Sequence, residues 1–531
     1  MTLTGEMLIG ADRVFGSTGS FRATDPATGR ALEPAFGQGG APEVDRAARL
    51  ARDAFDTYRA TSPIERAALL DLIADKIEGL GDELVERAHR ETGLAVARLT
   101  GERGRTTGQL RLFAELLRGG TTTGVRIDPA QPDRTPLPRP DIRQRLVALG
   151  PVAVFGSSNF PLAFSNAGGD TASALAAGCP VIVKVHGAHP GTAMLVAGAV
   201  AAAVAELGLP AGVYSSLLGA GEDLGAALVA HPDVAAVAFT GSRAGGLALI
   251  DIAQRRRVPI PVYAEMSSTN PVFVFPSALA DDAATAEVAS GFVASVTLGS
   301  GQFCTNPGLL FVPTGGAGDA LVGAVAQLVA GTAGQTMLTE GIREAFESGV
   351  SGLGTAPGVD TLASGSPGDG PNAPATVVFA TDAARLATTP RLQDEVFGAA
   401  SLVVRYGSTD DLLAAAGALD GQLTATVHAL RDDVDDVRRL IPVLERTVGR
   451  ILYNGWPTGV EVNHAMVHGG PFPSTSDGRT TSVGTLAIHR FLRPVAYQNL
   501  PDELLPEPLA DANPWQQIRS VDGRIEGLDR P

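Results

Sequence analysis

The spacing of apolar positions changes near residue 146, and this change divides the chain into two kinds of segment. Before it, residues 42–58 and 64–79 carry apolar side chains at intervals of three and four, which predicts amphipathic helices. Pro63 stands near the expected start of the second helix, where a proline is well tolerated. The segment 128–140 contains five prolines, so it is predicted to be an extended arm or linker and not a packed helix.

From residue 146 onward, short β-branched runs alternate with helical patterns, which predicts an α/β fold with a parallel sheet and crossover helices. The predicted strands are 146–155, 179–185, 212–219, 234–241 and 259–266. The predicted helices are 169–178, 191–207, 223–230 and 243–257. A second α/β unit is predicted to begin near Asn270, with strands at 271–276 and 307–313 around a helix at 281–297.

Two further segments have no such pattern. Residues 351–374 are rich in Gly, Ser and Pro and are predicted to form an exposed loop. Residues 451–500 contain many turn-forming residues and predict no long helix. The chain contains no internal sequence repeat.

Composition narrows the class of protein. The chain has 531 residues, enough for about three folding units, and its 44% hydrophobic and 18% charged content excludes wholesale disorder. A net charge of −16 argues against nucleic acid as a partner. The longest apolar run, 193–205, is too short to span a membrane, and the first ten residues do not resemble a secretion signal. Two cysteines cannot form a disulfide framework, which favours a reducing, cytoplasmic location.

Cys304 is the first candidate for chemistry. It stands in SGQFCTNPG, between a predicted helix and a predicted strand, and a cysteine in such a polar loop can act as a nucleophile. The local sequence is also compatible with a buried, inert thiol. Cys179 heads an apolar strand, where the inert interpretation is favoured.

Three polar residues accompany predicted strands. Glu265 ends a strand and Asn159 follows one, so both are expected near the carboxyl edge of the sheet, where α/β proteins bind ligands. The amide of Asn159 could stabilise an oxyanion, although a turn residue is the simpler interpretation. Lys184 lies inside an apolar strand and is one of only two lysines in a chain that otherwise uses arginine.

Other motifs carry less weight. The glycines of 219–225 lack the G-x-G-x-x-G spacing of a dinucleotide fingerprint. His464 and His468 are four residues apart, but no glutamate accompanies them as in H-E-x-x-H, so no metal site is predicted. The arginines 255–257 are expected to complement the end of a helix. No Ser-His-Asp arrangement and no phosphate-binding loop can be identified.

Six short motifs then occur together in one order. These are GPVAVFGSSNFP, the strand containing Lys184, VAFTGS, YAEM, GQFCTNPG and DEVFG. In this order and approximate spacing they resemble the aldehyde dehydrogenase superfamily, from about Thr24 to Leu500. The block beginning NGWPTGVEVNHAMVHGGPFP resembles a narrower branch, which includes 2,5-dioxopentanoate dehydrogenases and NADP-linked fatty aldehyde dehydrogenases.

The resemblance implies a fold of two doubly wound, Rossmann-like parallel-sheet domains and a small β arm for oligomerisation. The expected dinucleotide-binding domain is 1–126 with 147–261, and the expected catalytic domain is 262–480. The arm would comprise 127–146 and 481–500, followed by a C-terminal tail, 501–531, whose order the sequence leaves open. A homodimer or a dimer of dimers is expected.

The resemblance also implies a mechanism. Cys304 would attack the aldehyde carbon, and the Asn159 amide with the Cys304 N–H would hold the resulting oxyanion. Glu265 would then activate the water that releases the acid from a thioester. Residues matching cofactor contacts of the family are Phe155, Ser158, Lys184, Gly187, Gly221, Phe239, Ser242, Met266, Glu395 and Phe397.

Several positions depart from the family pattern. Gly187 stands where many NAD-specific members have an acidic residue, so NADP is favoured over NAD, and both are expected to be used. Ser267 and Ser268 replace the two usual glycines, and Ala399 replaces a proline. Gly168 stands where many members place a lysine, so a proton relay through that residue is not expected.

The substrate is expected to be a small aldehyde. Arg105 matches a position that faces the aldehyde tunnel in relatives, with Phe160 nearby, and an arginine there could pair with a distal substrate carboxylate. 2,5-Dioxopentanoate fits this interpretation, whereas a solvent-facing Arg105 would favour a fatty or other aldehyde. A thiol hydrolase or acyl transferase without a redox step, a CoA-acylating dehydrogenase and a non-catalytic scaffold remain as alternatives.

Overall fold

A computed structural model describes residues 3–527 as an assembly of three main sheets and their covering helices. Within those residues the strands are β1 (Met7–Ile9), β2 (Asp12–Val14), β3 (Ser20–Asp25), β4 (Arg30–Gly37), β5 (Val125–Asp128), β6 (Ile142–Ala148), β7 (Val152–Phe155), β8 (Val181–Lys184), β9 (Tyr214–Leu217), β10 (Ala236–Thr240), β11 (Val262–Glu265), β12 (Val272–Val274), β13 (Leu309–Pro313), β14 (Asp360–Ser364), β15 (Val377–Asp382), β16 (Ala400–Tyr406), β17 (Gln422–His428), β18 (Val448–Tyr453), β19 (Leu492–Gln498), β20 (Arg519–Val521) and β21 (Arg524–Glu526).

The helices of the same residues include those that pack on both faces of the sheets. They are α1 (Ala41–Arg59), α2 (Pro63–Glu78), α3 (Gly81–Thr92), α4 (Val96–Arg118), α5 (Gly169–Ala177), α6 (Pro190–Glu206), α7 (Asp223–Ala230), α8 (Arg243–Gln254), α9 (Asp282–Thr297), α10 (Gly316–Ala330), α11 (Glu340–Gly354), α12 (Ala383–Thr388), α13 (Thr409–Gly417) and α14 (Val434–Thr447). None of them combines the length and apolar character that crossing a membrane would require.

The first sheet places several candidate residues along one edge. Its order is β11-β10-β7-β8-β9-β1-β2, and the first five strands are parallel. In the register of this sheet Phe155 lies opposite both Phe239 and Lys184, and Thr240 lies opposite Glu265. Because parallel strands end at the same edge, these side chains border one crevice.

The second sheet has the order β14-β15-β16-β13-β12-β17-β18, and all its pairings except β14 with β15 are parallel. The third sheet, β19-β6-β5-β20-β21, which we call the arm sheet, contains strands from both predicted arm segments and from the predicted C-terminal tail. The predicted α/β class is therefore confirmed. The domain limits and the oligomer-forming use of the arm stay predictions.

Local sequence explains where helices begin. Ser62 caps α2: its hydroxyl accepts from the Glu65 N–H at 3.2 Å, and the Glu65 carboxylate accepts from the Ser62 N–H at 2.6 Å. Pro63 then occupies the first helical position, where its missing N–H costs nothing. Apolar strands such as β7 and β8 are buried between helices on both faces, as expected for a parallel sheet.

One predicted strand is wrong. Residues 146–155 form parts of two strands in different sheets, because β6 ends at Ala148 and β7 begins at Val152. Gly150, with φ of 140°, and Pro151, which has no N–H, redirect the chain between them. Periodicity could not detect this break because both strands are largely apolar.

The predicted loop 351–374 is only partly correct. Helix α11 continues to Gly354, and Asp360–Ser364 forms the edge strand β14, which pairs with β15 through an irregular register. Other boundaries shift by a few residues; for example, α8 ends at Gln254. The C-terminal tail contributes β20, which pairs in parallel with β5 and extends the arm sheet.

A buried ion pair joins α5 to the segment before β19. Arg490 donates to Asp170 at 2.7 Å, and their side chains are 3% and 8% exposed. Replacing Arg490 with Met should lower the free energy of unfolding by about 3–5 kcal/mol, because Asp170 would remain buried without its cation. Urea denaturation followed by circular dichroism would measure the loss.

The control is Arg438→Met, since Arg438 pairs with Asp435 on the surface, where both side chains are largely exposed. It should change the free energy of unfolding by less than about 0.5 kcal/mol. The double change Asp170→Leu with Arg490→Met should recover part of the loss. Equal, small effects of both arginine changes would contradict the importance given to the buried pair.

Candidate active site

A tight turn presents Cys304 to the crevice. Three successive residues after α9 adopt left-handed backbone conformations, with φ of 56°, 59° and 68°. A Cβ atom on the last of them, Gly301, would lie 2.2 Å from the carbonyl carbon of Gly398, so only glycine fits. The middle residue, Ser300, is held by hydrogen bonds to Gln335 from its N–H and its hydroxyl, at 3.2 and 3.1 Å. The turn brings Cys304 close to the loop that carries Gly398.

Cys304, His468 and Glu265 form one connected cluster. The Cys304 Sγ lies 3.3 Å from His468 Nε2, and this nitrogen lies 2.9 Å from a Glu265 carboxylate oxygen. The other oxygen of Glu265 accepts from the Ser482 hydroxyl at 2.5 Å. Cys304 is partly exposed, whereas His468 and Glu265 are buried. The cluster therefore places a nucleophile at the surface of a crevice and two candidate bases behind it.

The buried charges shift the pKa values of this cluster in opposite directions. Burial alone would raise the pKa of Glu265, but the His468 ring and the Ser482 hydroxyl hold that pKa below its ordinary value. Burial and the nearby Glu265 carboxylate raise the pKa of the Cys304 thiol well above its ordinary value, and Arg105 opposes them. At neutral pH the carboxylate is therefore ionised and the thiol is mostly protonated.

Asn159 lies beside the nucleophile's loop. Its side-chain Nδ2 donates to the Gln302 carbonyl at 3.0 Å, and Gln302 precedes Cys304 by two residues. Its backbone carbonyl accepts from Arg98 at 2.7 Å. Asn270 fixes the other side of the loop, because its Nδ2 donates to the Cys304 carbonyl at 2.9 Å. These bonds hold the Asn159 amide and the Cys304 peptide in one rigid arrangement.

Aromatic rings separate this arrangement from helix α4. The Phe160 ring contacts those of Phe164 and Phe303 at centroid distances of 5.4 and 5.6 Å. The guanidinium of Arg105 lies over Phe160 and Phe164, each at 5.6 Å. The structure thus places the two predicted substrate residues, Arg105 and Phe160, in contact with each other. Arg105 is partly buried and not solvent-facing.

Predicted cofactor residues border the edge of the first sheet. The rings of Phe155 and Phe239 are 6.0 Å apart, and Lys184 lies next to Phe155 in the sheet register. Burial lowers the pKa of Lys184; within residues 3–527 no carboxylate lies within ion-pair distance of it, although Glu222 is near enough to oppose the shift. The Thr240 hydroxyl at the same edge is buried without a hydrogen-bond partner in that part of the chain. An unpaired cation and an unused hydroxyl fit a polar nucleotide at this edge.

The remaining predicted cofactor residues lie around that edge. Ser242 caps α8, accepting from the Gly245 N–H at 3.2 Å, so its hydroxyl stands at a helix N-terminus. Ser158 is partly buried after β7, and Met266 is buried beneath α8. Gly187 approaches Ala220, which precedes the exposed Gly221.

Glu395 and Phe397 lie on the second sheet's side of the crevice. They line a small cavity together with Phe303 and Ser268. Burial raises the pKa of Glu395 to about 7, although hydrogen bonds from the Ser267 hydroxyl and the Ser268 backbone oppose this shift. Ser267, one of the two departures from the family's glycines, therefore contacts a predicted cofactor residue.

Sequence reasoning misses His468 as a member of the site. The sequence suggests for it only a zinc-ligand role beside His464, whose ring instead lies 3.4 Å from the Thr485 hydroxyl. Ser482 and Asn270 are missed as well. The contact between His468 and Glu265 spans 203 residues, and no local pattern indicates a pairing over that distance. The only available signal is that His468 lies in the block resembling the narrower branch.

The same cluster has the spacing of a metal site. One ligand atom from each of Glu265, Cys304 and His468 lies within 4.8 Å of the others. These three ligand types suit zinc, so the group could hold such an ion. The sequence-based expectation of a metal-free site stays a prediction.

The fold and this site define the class of protein. The family model for the aldehyde dehydrogenase family matches residues 15–493, and the chain belongs to this family. The resemblance drawn from the six motifs is confirmed.

Two relatives match almost the whole chain. Alpha-ketoglutaric semialdehyde dehydrogenase 2 of Azospirillum brasilense is 56% identical over 99% of this chain and 100% of its own length. Alpha-ketoglutaric semialdehyde dehydrogenase of Acinetobacter baylyi is 47% identical over 98% of both chains.

Solved structures confirm the fold. HpcC from Thermus thermophilus superposes with a TM-score of 0.80, at 25% identity, over 94% of this chain and 93% of its own. An aldehyde dehydrogenase from Bacillus cereus, solved as its NAD+ complex, has a TM-score of 0.78 at 21% identity, over 93% of this chain and 96% of its own.

The raised pKa of Cys304 generates a test with the free enzyme. Alkylation of Cys304 by iodoacetamide should accelerate about tenfold per pH unit from about pH 6.5 to 8.5, because only the thiolate reacts. Glu265→Gln should react faster than the parent protein at each pH, since it removes the neighbouring negative charge. Mass spectrometry of the labelled peptide would follow the rate.

Cys304→Ser provides the control and should take up no label, because Cys179 is fully buried and burial raises the pKa of its thiol to about 11. A rate that levels off below about pH 8 would contradict the raised pKa and would instead indicate a thiolate paired with a protonated His468.

Proposed function

We propose that this chain oxidises 2,5-dioxopentanoate to 2-oxoglutarate, with NADP preferred and NAD also accepted. The observation that carries the proposal is the Cys304–His468–Glu265 cluster together with a nearby pocket lined by Arg105, whose guanidinium forms no ion pair within residues 3–527. The two relatives that match the full chain are named as dehydrogenases of alpha-ketoglutaric semialdehyde, the same compound.

The first step joins the substrate to Cys304. Cys304 releases its thiol proton to solvent and reacts as the thiolate, because His468 Nε2 already donates to the ionised Glu265 carboxylate and cannot accept that proton. The sulfur then forms a bond to the aldehyde carbon. The aldehyde oxygen becomes the oxyanion of a thiohemiacetal. The second Nδ2 hydrogen of Asn159 and the Cys304 N–H hold this charge; in the described part of the chain that N–H has no other acceptor.

Lys184, Ser242, Glu395 and Phe397 are the residues that would hold the nicotinamide cofactor. When bound, this cofactor supplies the two-electron oxidation by accepting, as hydride, the hydrogen on the former aldehyde carbon.

The second half of the reaction releases the acid. The carbon bound to the Cys304 sulfur is then a thioester, and a water molecule replaces the sulfur. Glu265 takes a proton from that water, because its lowered pKa keeps it ionised and ready to accept one. The sulfur leaves as a thiolate and takes from Glu265 the proton that came from the water, which returns both groups to their starting state.

A neutral medium-chain aldehyde is the second candidate substrate. Val460, Val462 and Met466 line the same pocket as Arg105 and pack against the cluster that contains Phe164. These apolar walls would suit an alkyl chain, whereas the partly buried arginine favours an anion.

The assembly and the location of the protein follow the same reasoning. We infer a homo-oligomer in which the arm sheet contacts another subunit, because β19 is an edge strand with many exposed residues. Two free cysteines support a reducing, cytoplasmic location.

The direct experiment is a panel of aldehydes with each cofactor. 2,5-Dioxopentanoate, succinic semialdehyde and hexanal should be compared by kcat/KM with NADP and NAD, and the acid product should be identified by mass spectrometry. The proposal expects 2-oxoglutarate as product and the highest kcat/KM for its semialdehyde. A higher value for hexanal would favour the second candidate, and turnover without nicotinamide reduction would favour a hydrolase.

Glu265→Gln separates the two halves of the reaction. Its steady-state rate should fall by roughly two to four powers of ten, since the general base is lost. A stopped-flow burst of about one reduced nicotinamide per site should remain, because attack and oxidation need Cys304 and not Glu265. Cys304→Ala is the control and should show no burst. Loss of the burst in Glu265→Gln would contradict the assignment of Glu265 to thioester hydrolysis.

Gly187→Glu tests the cofactor preference. A Cβ at this position would have its nearest contact, at 3.5 Å, with Ala220, so a side chain can be accommodated. The new carboxylate should raise the KM for NADP at least about tenfold through repulsion of the 2′-phosphate, with little effect on the KM for NAD. Gly187→Gln introduces a side chain of the same size as glutamate but without its charge. It should therefore change the KM for NADP much less. Equal effects of the two substitutions would contradict the electrostatic explanation.

A further inference from the structure

A pocket between helix α4 and the segment 459–466 contains two partly buried arginines. Arg105 projects from α4, and Arg450 projects from the edge strand β18. Both guanidinium groups are near enough to interact electrostatically with the sulfur of Cys304. The Phe160 ring beneath Arg105 contacts Phe303, which precedes Cys304, so the pocket lies next to the nucleophile's loop and presents two cations to a ligand.

No carboxylate lies within ion-pair distance of either arginine among residues 3–527, although Glu102, Glu461 and Glu265 are near enough to oppose the lowering of the Arg105 pKa. Glu461 lines the same pocket, but it is exposed and forms no ion pair with either arginine in that part of the chain. The Nε atoms of Arg105 and Arg450 are both buried without a hydrogen-bond acceptor there. Burial lowers the pKa of both side chains, which is the cost of removing an unpaired cation from water. Such a cost is recovered when an anionic or polar ligand binds.

The two arginines differ in the donors that they have available. The side chain of Arg450 is fixed by hydrogen bonds from its two terminal nitrogens to the carbonyls of Gly459 and Pro457, at 3.1 and 2.9 Å. Within the described residues, Arg105 donates no hydrogen bond and is held only by the Phe160 and Phe164 rings. Arg105 can therefore present a whole fork of donors, whereas Arg450 retains single N–H groups.

This difference matches the polar end of the proposed substrate. A planar guanidinium fork suits a carboxylate, which it binds through two parallel hydrogen bonds. A single fixed donor suits a lone carbonyl oxygen. 2,5-Dioxopentanoate carries both groups on adjacent carbons, at the end opposite the aldehyde.

We propose that Arg450 is a specificity-determining residue that recognises the 2-oxo oxygen of the substrate, beside a carboxylate held by Arg105. This inference rests on the proposed function and extends it from one contact to a two-arginine subsite for 2-oxo acids. An aldehyde without the 2-oxo group would leave the donors of Arg450 unpaired, and such a loss lowers kcat/KM.

The test compares three aldehydes of the same chain length. These are 2,5-dioxopentanoate, 5-oxopentanoate, which lacks only the 2-oxo oxygen, and pentanal, which lacks the carboxylate as well. For each variant the ratios of kcat/KM between substrates are measured, so that a general loss of activity cancels. The variants are Arg450→Gln, Arg105→Gln and the control Arg111→Gln.

Arg450→Gln should reduce the preference for 2,5-dioxopentanoate over 5-oxopentanoate by about ten- to a hundredfold, the range for a hydrogen bond to a charged group. Arg105→Gln should instead reduce the preference for 5-oxopentanoate over pentanal. Arg111 lines the same pocket but pairs with Asp75 and Glu78, so Arg111→Gln should leave both ratios unchanged.

The two hypotheses fail separately. If the parent enzyme shows no preference for either carboxylated aldehyde over pentanal, the proposed function is wrong. If the parent enzyme prefers 2,5-dioxopentanoate and Arg450→Gln retains the full ratio, only the assignment of Arg450 is overturned.

A second measurement covers the case in which Arg450→Gln does not fold. Arg450→Lys retains the charge but cannot reach both carbonyls, and it should weaken competitive inhibition by 2-oxoglutarate more than inhibition by glutarate. Equal weakening of the two inhibitors would overturn the assignment.

Discussion

The contact between the His468 ring and the Glu265 carboxylate is the interaction on which the rest of the site depends. Glu265 ends a strand of the first sheet, and His468 lies in the segment that follows the second sheet. A buried carboxylate is tolerated only when it is paired, so this contact fixes how the two sheets meet at the crevice. Cys304 is held against the same nitrogen. One pairing therefore satisfies a buried charge and also holds the Glu265 carboxylate beside the reacting sulfur.

Much of the fold could be predicted because its elements are locally encoded. The predictions of a helix at 191–207 and a strand at 179–185 are correct to within a few residues. The first segment is long and rich in alanine, and the second is a short β-branched run next to a proline. The error at 146–155 has the opposite cause. Two apolar strands follow each other closely, and only their partners, β19 and β8, show that they belong to different sheets. Tertiary pairing decides this, and the local sequence does not contain it.

Some residues of the functional site could also be predicted from the local sequence, and others could not. Glu265 and Asn159 could be placed because parallel strands end at one edge, and Cys304 because it stands in a polar loop between a predicted helix and a predicted strand. His468 and Arg450 could not be placed, since the first depends on a partner 203 residues away and the second is one alternating residue of an edge strand. Arg105 could be suggested only from the family resemblance. Whether Arg105 has an ion-pair partner depends on residues distant in the sequence, so only the structure could show that it has none within residues 3–527.

The C-terminal hairpin of β20 and β21 has a consequence for self-association. An arm sheet that ended at β5 would offer unsatisfied backbone groups to another polypeptide. The hairpin covers that edge and replaces it with β21, a three-residue strand that carries Arg524 and Glu526. A short edge strand with charged side chains pairs poorly with a strand of another molecule. The opposite edge strand of the sheet, β19, remains uncovered. Strands β20 and β21 thus close one edge of this sheet to pairing with another polypeptide.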